Sequence, residues 1–231
     1  IMQLLHQTIS KLKGFKEWFD TLDLHESQLV LGLSGSVKHL AESCAFEKLD
    51  KQLVIVTPTL LQATQTYEEL SEWYDDEVVH LFPVEESLAA DFSVVSPDVV
   101  SQRIRTLDFL SRGEKGIVIV PLSGIQKLLV PATVWKKSSI ELAMGSEIES
   151  MDAFVEQLVE LGYRRENMVA TPGEFALRGS IVDIYPLDQE YPLRLDFFDT
   201  EVDSIRAFNA ETQRSMDVIN EVRILPATDL P

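Results

Sequence analysis

The absences in this sequence exclude most chemistries. One cysteine, Cys44, stands among 231 residues, so an internal disulfide and a multi-cysteine zinc site are both excluded, and a reducing cytoplasm is the expected compartment. No stretch reaches the ~20 uncharged apolar residues that a spanning helix needs, and no signal-peptide pattern opens the chain, so no membrane association is expected. The four histidines, His6, His25, His39 and His80, show no H-E-x-x-H spacing, and no serine sits in a G-x-S-x-G elbow. Metal and hydrolase chemistry therefore have no motif to stand on. Positive charge is also scarce. Against 38 Asp and Glu there are 20 Lys and Arg, a net charge of −18, and duplex DNA binding rests on cations that neutralise phosphates. This chain by itself is not expected to bind DNA.

What is present is a globular composition, 45% hydrophobic and 25% charged, long enough for one large domain or two modest ones. The few cations are unevenly chosen: beyond residue 120 seven of ten are Arg, against three of ten before it. Arg is the cation of bidentate carboxylate recognition, so the second half is expected to meet an acidic protein partner.

The apolar pattern divides the chain in two. Leu4, Leu5, Thr8, Ile9 and Leu12, then Phe15, Trp18 and Phe19 after Gly14, fall at helical spacing. The run Gln28–Leu33 predicts a strand, Ser34-Gly35-Ser36 a turn, and Val37, Leu40, Ala41 and Cys44 one face of a helix. Strands follow over 51–57, 78–82 and 116–120, separated by a helix capped by Thr59 and another opening at Ser96-Pro97. That alternation predicts a motor-like, P-loop-type α/β domain with a mostly parallel sheet over residues 1–136. A short helix over 122–129 would close it. From 137 to 231 the pattern changes: one strand (140–144), one helix (151–161), then strands at 174–178, 180–185, 192–198, 202–208 and 221–225, with Asp199-Thr200 as a hairpin turn. A smaller α+β domain with an antiparallel sheet is predicted there.

Gly32-Leu33-Ser34-Gly35-Ser36-Val37-Lys38-His39 lies where a phosphate-binding loop belongs. A working loop ends in Gly-Lys followed by Ser or Thr, whose backbone amides, ammonium and hydroxyl hold phosphates and Mg²⁺. Here Val37 replaces the glycine and His39 the hydroxyl residue, which predicts a degenerate, inactive loop in which Lys38 survives alone. The carboxylates Asp196, Asp199, Glu201 and Asp203 lack calcium-loop spacing and read as a solvated turn, as does Asp75-Asp76-Glu77. Cys44, on the apolar face of its helix, reads as a small core residue. The cations Arg164, Arg165, Arg178, Arg194 and Arg206 remain. In the strand 174–178, Phe175 and Leu177 alternate with Arg178, which therefore points away from the apolar face, as Arg194 does between Leu193 and Leu195. Such cations serve either a recognition surface or internal pairing with the many acids.

The stretch Pro172-Gly173-Glu174-Phe175-Ala176-Leu177-Arg178-Gly179-Ser180-Ile181-Val182-Asp183-Ile184-Tyr185-Pro186 resembles a signature of the bacterial transcription-repair coupling factors, the Mfd family: G-E-(F/Y)-x-x-R-G-x-(I/V/L)-(V/I/L)-D-(I/L)-(F/Y)-P. The excision-repair protein UvrB carries a related form. Arg194-Leu195-Asp196-Phe197-Phe198-Asp199 followed by Asp203-Ser204-Ile205-Arg206, Gln213-Arg214 and Leu225-Pro226-Ala227 also fit, and so do Gly162-Tyr163-Arg164 and the spent loop Gly32–His39. The resemblance implies a first domain similar to the first motor-like domain of UvrB with its ATP site lost, and a second similar to the UvrB domain that docks on UvrA. It further implies a non-catalytic module that recruits UvrA to a stalled RNA polymerase for nucleotide-excision repair. ATP, Mg²⁺, DNA and the polymerase would be engaged by other domains of the full-length chain. Beginning at Ile1-Met2 and ending at Pro231, the chain is expected to be a segment of a longer protein. Carried over residue by residue, the UvrA-facing cations fall on Arg164 or Arg165 and on Arg178, and the aromatic before the proline on Tyr185; Ala176 stands where UvrB has another Arg. Two other readings are an ATPase fragment using Lys38 and a surface masked by another domain of the same chain.

Overall fold

The computed structural model describes residues 2–24, 26–84, 96–127 and 129–229. The side chain of Leu4, the ends of the chain at Ile1 and Pro231, and Leu128 of the expected 122–129 helix lie outside the described residues. In order, the elements are helices α1 (Met2–Ile9), α2 (Lys13–Thr21) and α3 (Ser36–Lys48), strand β1 (Leu53–Thr57), α4 (Leu60–Ser71), β2 (Val79–Leu81), α5 (Pro97–Arg112), β3 (Ile117–Pro121), α6 (Leu122–Ile125) and α7 (Ala132–Lys137). Then come β4 (Ile140–Ala143), α8 (Met151–Glu160), β5 (Arg164–Arg165), β6 (Glu174–Arg178), β7 (Ile181–Ile184), β8 (Leu193–Phe198), β9 (Glu201–Phe208), β10 (Ser215–Val218) and β11 (Glu221–Ile224). Among the described residues, those of Ile1–Leu88 with Gly113–Lys127 form one compact unit, and those of Ala89–Arg112 with Leu128–Pro231 form the other. The second unit thus takes in α5 and α7 besides the region expected from residue 137 onward.

In the first unit, β1, β3 and β2 form a parallel sheet in that order. Thr59 caps α4 as its spacing predicts, its hydroxyl accepting the Gln62 amide at 3.2 Å. Leu70 and Ala63 of α4 are then buried against Ile55, Val79, Leu81, Ile117 and Ile119. Ile9, Phe15, Ala41 and Cys44 make a separate small core for α1, α2 and α3. The strand expected over Gln28–Leu33 is absent: residues 26–34 are irregular, and Leu29 and Leu31 are 84% and 80% exposed. The strand half of a strand–loop–helix unit is therefore missing, since an apolar run becomes a strand only beside a neighbour that pairs with its backbone. The sheet is parallel and accompanied by helices, in keeping with the α/β expectation.

Cys44 is buried, and that burial, followed by the nearby Glu47 charge, pushes its thiol up to about 11. A thiol reagent at pH 8 is expected to leave the folded chain almost unmodified and to label it fully in guanidinium. Rapid labelling of the native chain would show this core to be open.

The second unit is built on a six-stranded sheet ordered β10-β9-β8-β7-β6-β5, antiparallel except for the β5–β6 pair, and on a separate antiparallel β11–β4 ribbon. Ser150 caps α8 through the Ala153 amide, at 3.1 Å. Phe154 and Leu158 of that helix enter a core with Phe175, Val182, Ile184, Leu193, Leu195, Phe197 and Ile205. Every second residue of β6, β7 and β8 therefore points at α8, with β9 following after one register shift, and the alternate residues form the opposite face. The candidate site is that opposite face.

Candidate protein-docking face

Glycine and tyrosine in Gly162-Tyr163-Arg164 have separate structural duties. Gly162 ends α8 with φ of +91°, a region that disfavours any side chain, and an added Cβ would stand 3.0 Å from Thr228. Tyr163 is buried, its hydroxyl donating to the Leu225 carbonyl at 2.7 Å. With Tyr163 anchored, β5 follows at the sheet edge. In β5, Arg164 pairs in register with Glu174 and Arg165 with Phe175. Residues paired in register share a face, so Arg164 lies on the outer face and Arg165 on the face of Phe175. Of the two alternatives Arg164 and Arg165, Arg164 shares the outer face with Arg178 and Arg165 does not, because a two-residue strand takes its sidedness entirely from its neighbour.

The signature segment is a hairpin. Gly179, with φ of +64°, opens the two-residue turn between Arg178 and Ile181, the position where such turns require glycine. Phe175, Leu177, Val182 and Ile184 face the core, while Arg178, Asp183 and Tyr185 face outward. Asp183 is 1% exposed and is the hub. It accepts from Arg178 Nη2 at 2.6 Å, and from Arg194 Nε at 2.7 Å and Nη2 at 2.9 Å. Arg194, its partner across β7 and β8, stacks 4.5 Å from the Phe208 ring centre and donates to the carbonyl and side chain of Gln213, each at 3.4 Å. The pairing with Asp183 raises the Arg194 pKa above its already high value. The same carboxylate thus fixes two guanidinium groups in different states. Arg194 is 19% exposed and held from several sides, whereas Arg178 is 49% exposed, with one N–H group engaged.

Glu174 organises the edge of the face. Burial alone would raise its pKa, but the Ala170 and Thr171 amides, the Thr171 hydroxyl and Arg164 together hold the carboxylate below its ordinary 4.5. Arg164 lies 3.4 Å from it and remains 67% exposed. Tyr185 is half-buried on Val169, Ala176 and Phe208, its hydroxyl donating to the Glu190 carbonyl at 2.8 Å. The structure therefore brings Arg164, Arg178 and Tyr185 onto one face and separates Arg165 from them. Sequence patterning placed Arg178 outward, but it did not show Asp183 as the residue that orients it. A buried Asp between Val182 and Ile184, in a strand next to two Arg-bearing strands, was the available signal.

The other candidate, the loop Gly32–His39, is occupied by internal contacts. Gly32 and Gly35 both have positive φ. Lys38 Nζ lies 3.9 Å from Glu42, and His39 contacts Glu42 at 2.8 Å and Glu69 at 3.7 Å. Val37 is 47% exposed at the start of α3. Lys38 and His39 are thus both turned toward internal carboxylates. Among the described residues no cluster of three or more His, Cys, Asp or Glu could hold a metal ion, and no helix is long and apolar enough to cross a membrane.

Residues 140–230, which include the sheet that buries one face under a helix and presents braced arginines on the other, match the UvrB interaction domain family. The chain as a whole is similar to the transcription-repair-coupling factors. It is 45% identical over 221 residues to that of Staphylococcus epidermidis strain RP62A, which covers 96% of this chain and 19% of the relative. It is 42% identical over 226 residues to that of Staphylococcus haemolyticus (98% and 19%), and 41% identical over 210 residues to that of Bacillus subtilis strain 168 (90% and 18%). The chain spans about a fifth of the length of these curated relatives and over that stretch is similar to the region of the transcription-repair-coupling factors that has homology to UvrB.

Proposed function

We propose that this chain is a non-catalytic docking module in transcription-coupled DNA repair, in the cytoplasm, and that the outer face of its six-stranded sheet binds UvrA. The observation that carries this reading is Arg178: a half-exposed guanidinium held in place by a buried carboxylate, inside the segment that matches the UvrB interaction domain. A cation already oriented loses little freedom on pairing with a partner's carboxylate, which favours tight and selective contact. Arg164 and Tyr185 extend the face, with Tyr185 offering an aromatic ring of the kind that anchors interfaces. In the whole protein, a covering domain could mask this face until UvrA is needed. RNA polymerase, DNA and ATP would be engaged by other domains. Pull-down of purified UvrA by this chain, without nucleotide, tests the reading, and absence of capture by the folded chain overturns it.

The Gly32–His39 loop is proposed to take no nucleotide. Calorimetry with MgATP is expected to show no binding in the micromolar range, and Lys38→Ala is expected to leave UvrA capture unchanged. A micromolar affinity that disappears in Lys38→Ala would overturn this and favour an ATPase fragment.

A further inference from the structure

The outer face carries two more residues, both inside the segments that resemble the family, that internal packing does not account for. Phe198 is 78% exposed, the most exposed aromatic ring among the described residues. Along β8, Leu193, Leu195 and Phe197 point to the core, while Arg194, Asp196 and Phe198 point outward. Phe198 pairs in register with Glu201 across a two-residue turn in which Asp199 adopts φ of +58°. A register shift in β9 next to this turn, between the Asp196 and Phe197 pairs, fixes the hairpin tip. The ring is therefore presented on rigid backbone, not on a loose loop.

Arg206 is the second. It sits directly across from Arg194 on β8 and from Val218 on β10. Like charges in opposed positions of a sheet are destabilising. Asp183 neutralises Arg194, but no acid lies within ion-pair distance of Arg206 among the described residues, although the chain has 38 Asp and Glu. Strand spacing of about 4.8 Å and a rise of about 3.3 Å per residue put the Phe198 and Arg206 backbones roughly 10–16 Å from that of Arg178. One partner surface of ordinary size, about 800 Å² per side, covers all three.

We propose that Phe198 and Arg206 belong to the same docking face, Phe198 entering an apolar socket on the partner and Arg206 pairing with a carboxylate beside it. The occupant is a UvrA surface with an apolar pocket and a carboxylate on the Arg206 side of it only, since Asp196, Asp199 and Glu201 flank Phe198 on this chain and would repel acids around the rest of the pocket. The inference rests on the reading that this face binds UvrA, and deepens it by stating the chemistry of the surface UvrA presents.

The test is biolayer interferometry of the 231-residue chain against purified UvrA, with melting curves recorded for each variant. Phe198→Ala is expected to weaken binding about tenfold, chiefly through faster dissociation, and Phe198→Leu to restore most of it. Arg206→Glu is expected to weaken binding at least tenfold and to flatten its salt dependence. Neither position is buried, so Phe198→Ala should melt as the parent does, and Arg206→Glu, which removes the like charge across from Arg194, should melt no lower. Parent-like binding by Phe198→Ala and Arg206→Glu, with Arg178→Glu inactive, overturns this inference and leaves the docking reading intact. Failure of the parent chain to bind overturns both. Light scattering that shows a dimer abolished by Phe198→Ala would assign the ring to a second copy of the chain, and also overturns the inference.

Discussion

Replacing Arg194 with alanine is expected to lower the melting temperature of the chain by roughly ten degrees. Asp183 is almost wholly buried and receives three charge-assisted hydrogen bonds, two of them from Arg194. Without Arg194, a carboxylate with no access to water depends on one N–H group of a half-exposed arginine. Removing one member of a buried pair costs about 3–5 kcal/mol, and the surviving Arg178 contact places this case near about 3 kcal/mol. For domains of this size, about 1 kcal/mol moves the melting temperature by several degrees. Loss of the cation stacked on Phe208 adds to the effect. Thermal denaturation followed by circular dichroism measures it. A shift of under two degrees would mean that water reaches Asp183 and that the hub is not buried in solution.

Arg178 is expected to behave in the opposite way. Arg178→Ala should weaken UvrA binding at least tenfold, about 1.4 kcal/mol, and Arg178→Glu should abolish it. The Arg178–Asp183 contact seen in the structure is the contact that an internal role for Arg178 requires, so stability decides between the two roles. Asp183 keeps both bonds from Arg194 when Arg178 is gone, and an ion pair with one half-exposed member contributes about 0–1 kcal/mol. The melting temperature of Arg178→Ala should therefore stay within a few degrees of the parent. A large drop in melting temperature with undiminished binding by the folded fraction would assign Arg178 to internal support and remove it from the interface.

The pair of variants shows where sequence reading stopped. Alternation of apolar residues in 174–178 and 193–198 gave the faces of β6 and β8 correctly, because one face of each is packed under a helix and the period is enforced residue by residue. Thr59 marked a helix start because a cap is a local interaction, complete within four residues. Cross-strand partnership is not local. That Asp183 lies opposite Arg194, not beside Arg206, depends on a register set by turn length and core packing. A pattern along one strand does not contain that information. The two residues of β5 are too few for any alternation, so the sidedness of Arg164 and Arg165 was legible only from β6. β10, Ser215–Val218, has four exposed residues and packs none of them into a core, and owes its place to pairing with β9. The run Leu29-Val30-Leu31 is the converse case, apolar enough for a strand but lacking a neighbouring strand within the described residues.

The β4–β11 ribbon bears on how the domain carries load. Ile140 pairs with Ile224 and Ala143 with Glu221, so the chain enters and leaves the β-rich region at adjacent points. Tension transmitted from one flank of this region to the other would act at that end of the ribbon and peel its hydrogen bonds one after another. Strands pulled past each other in shear would break many bonds at once and resist far more. Ile140, Leu142 and Ile224 of the ribbon lie in the same core as Phe175, Leu195 and Ile205 of the six-stranded sheet, so peeling the ribbon would also open the apolar layer that supports the docking face from behind.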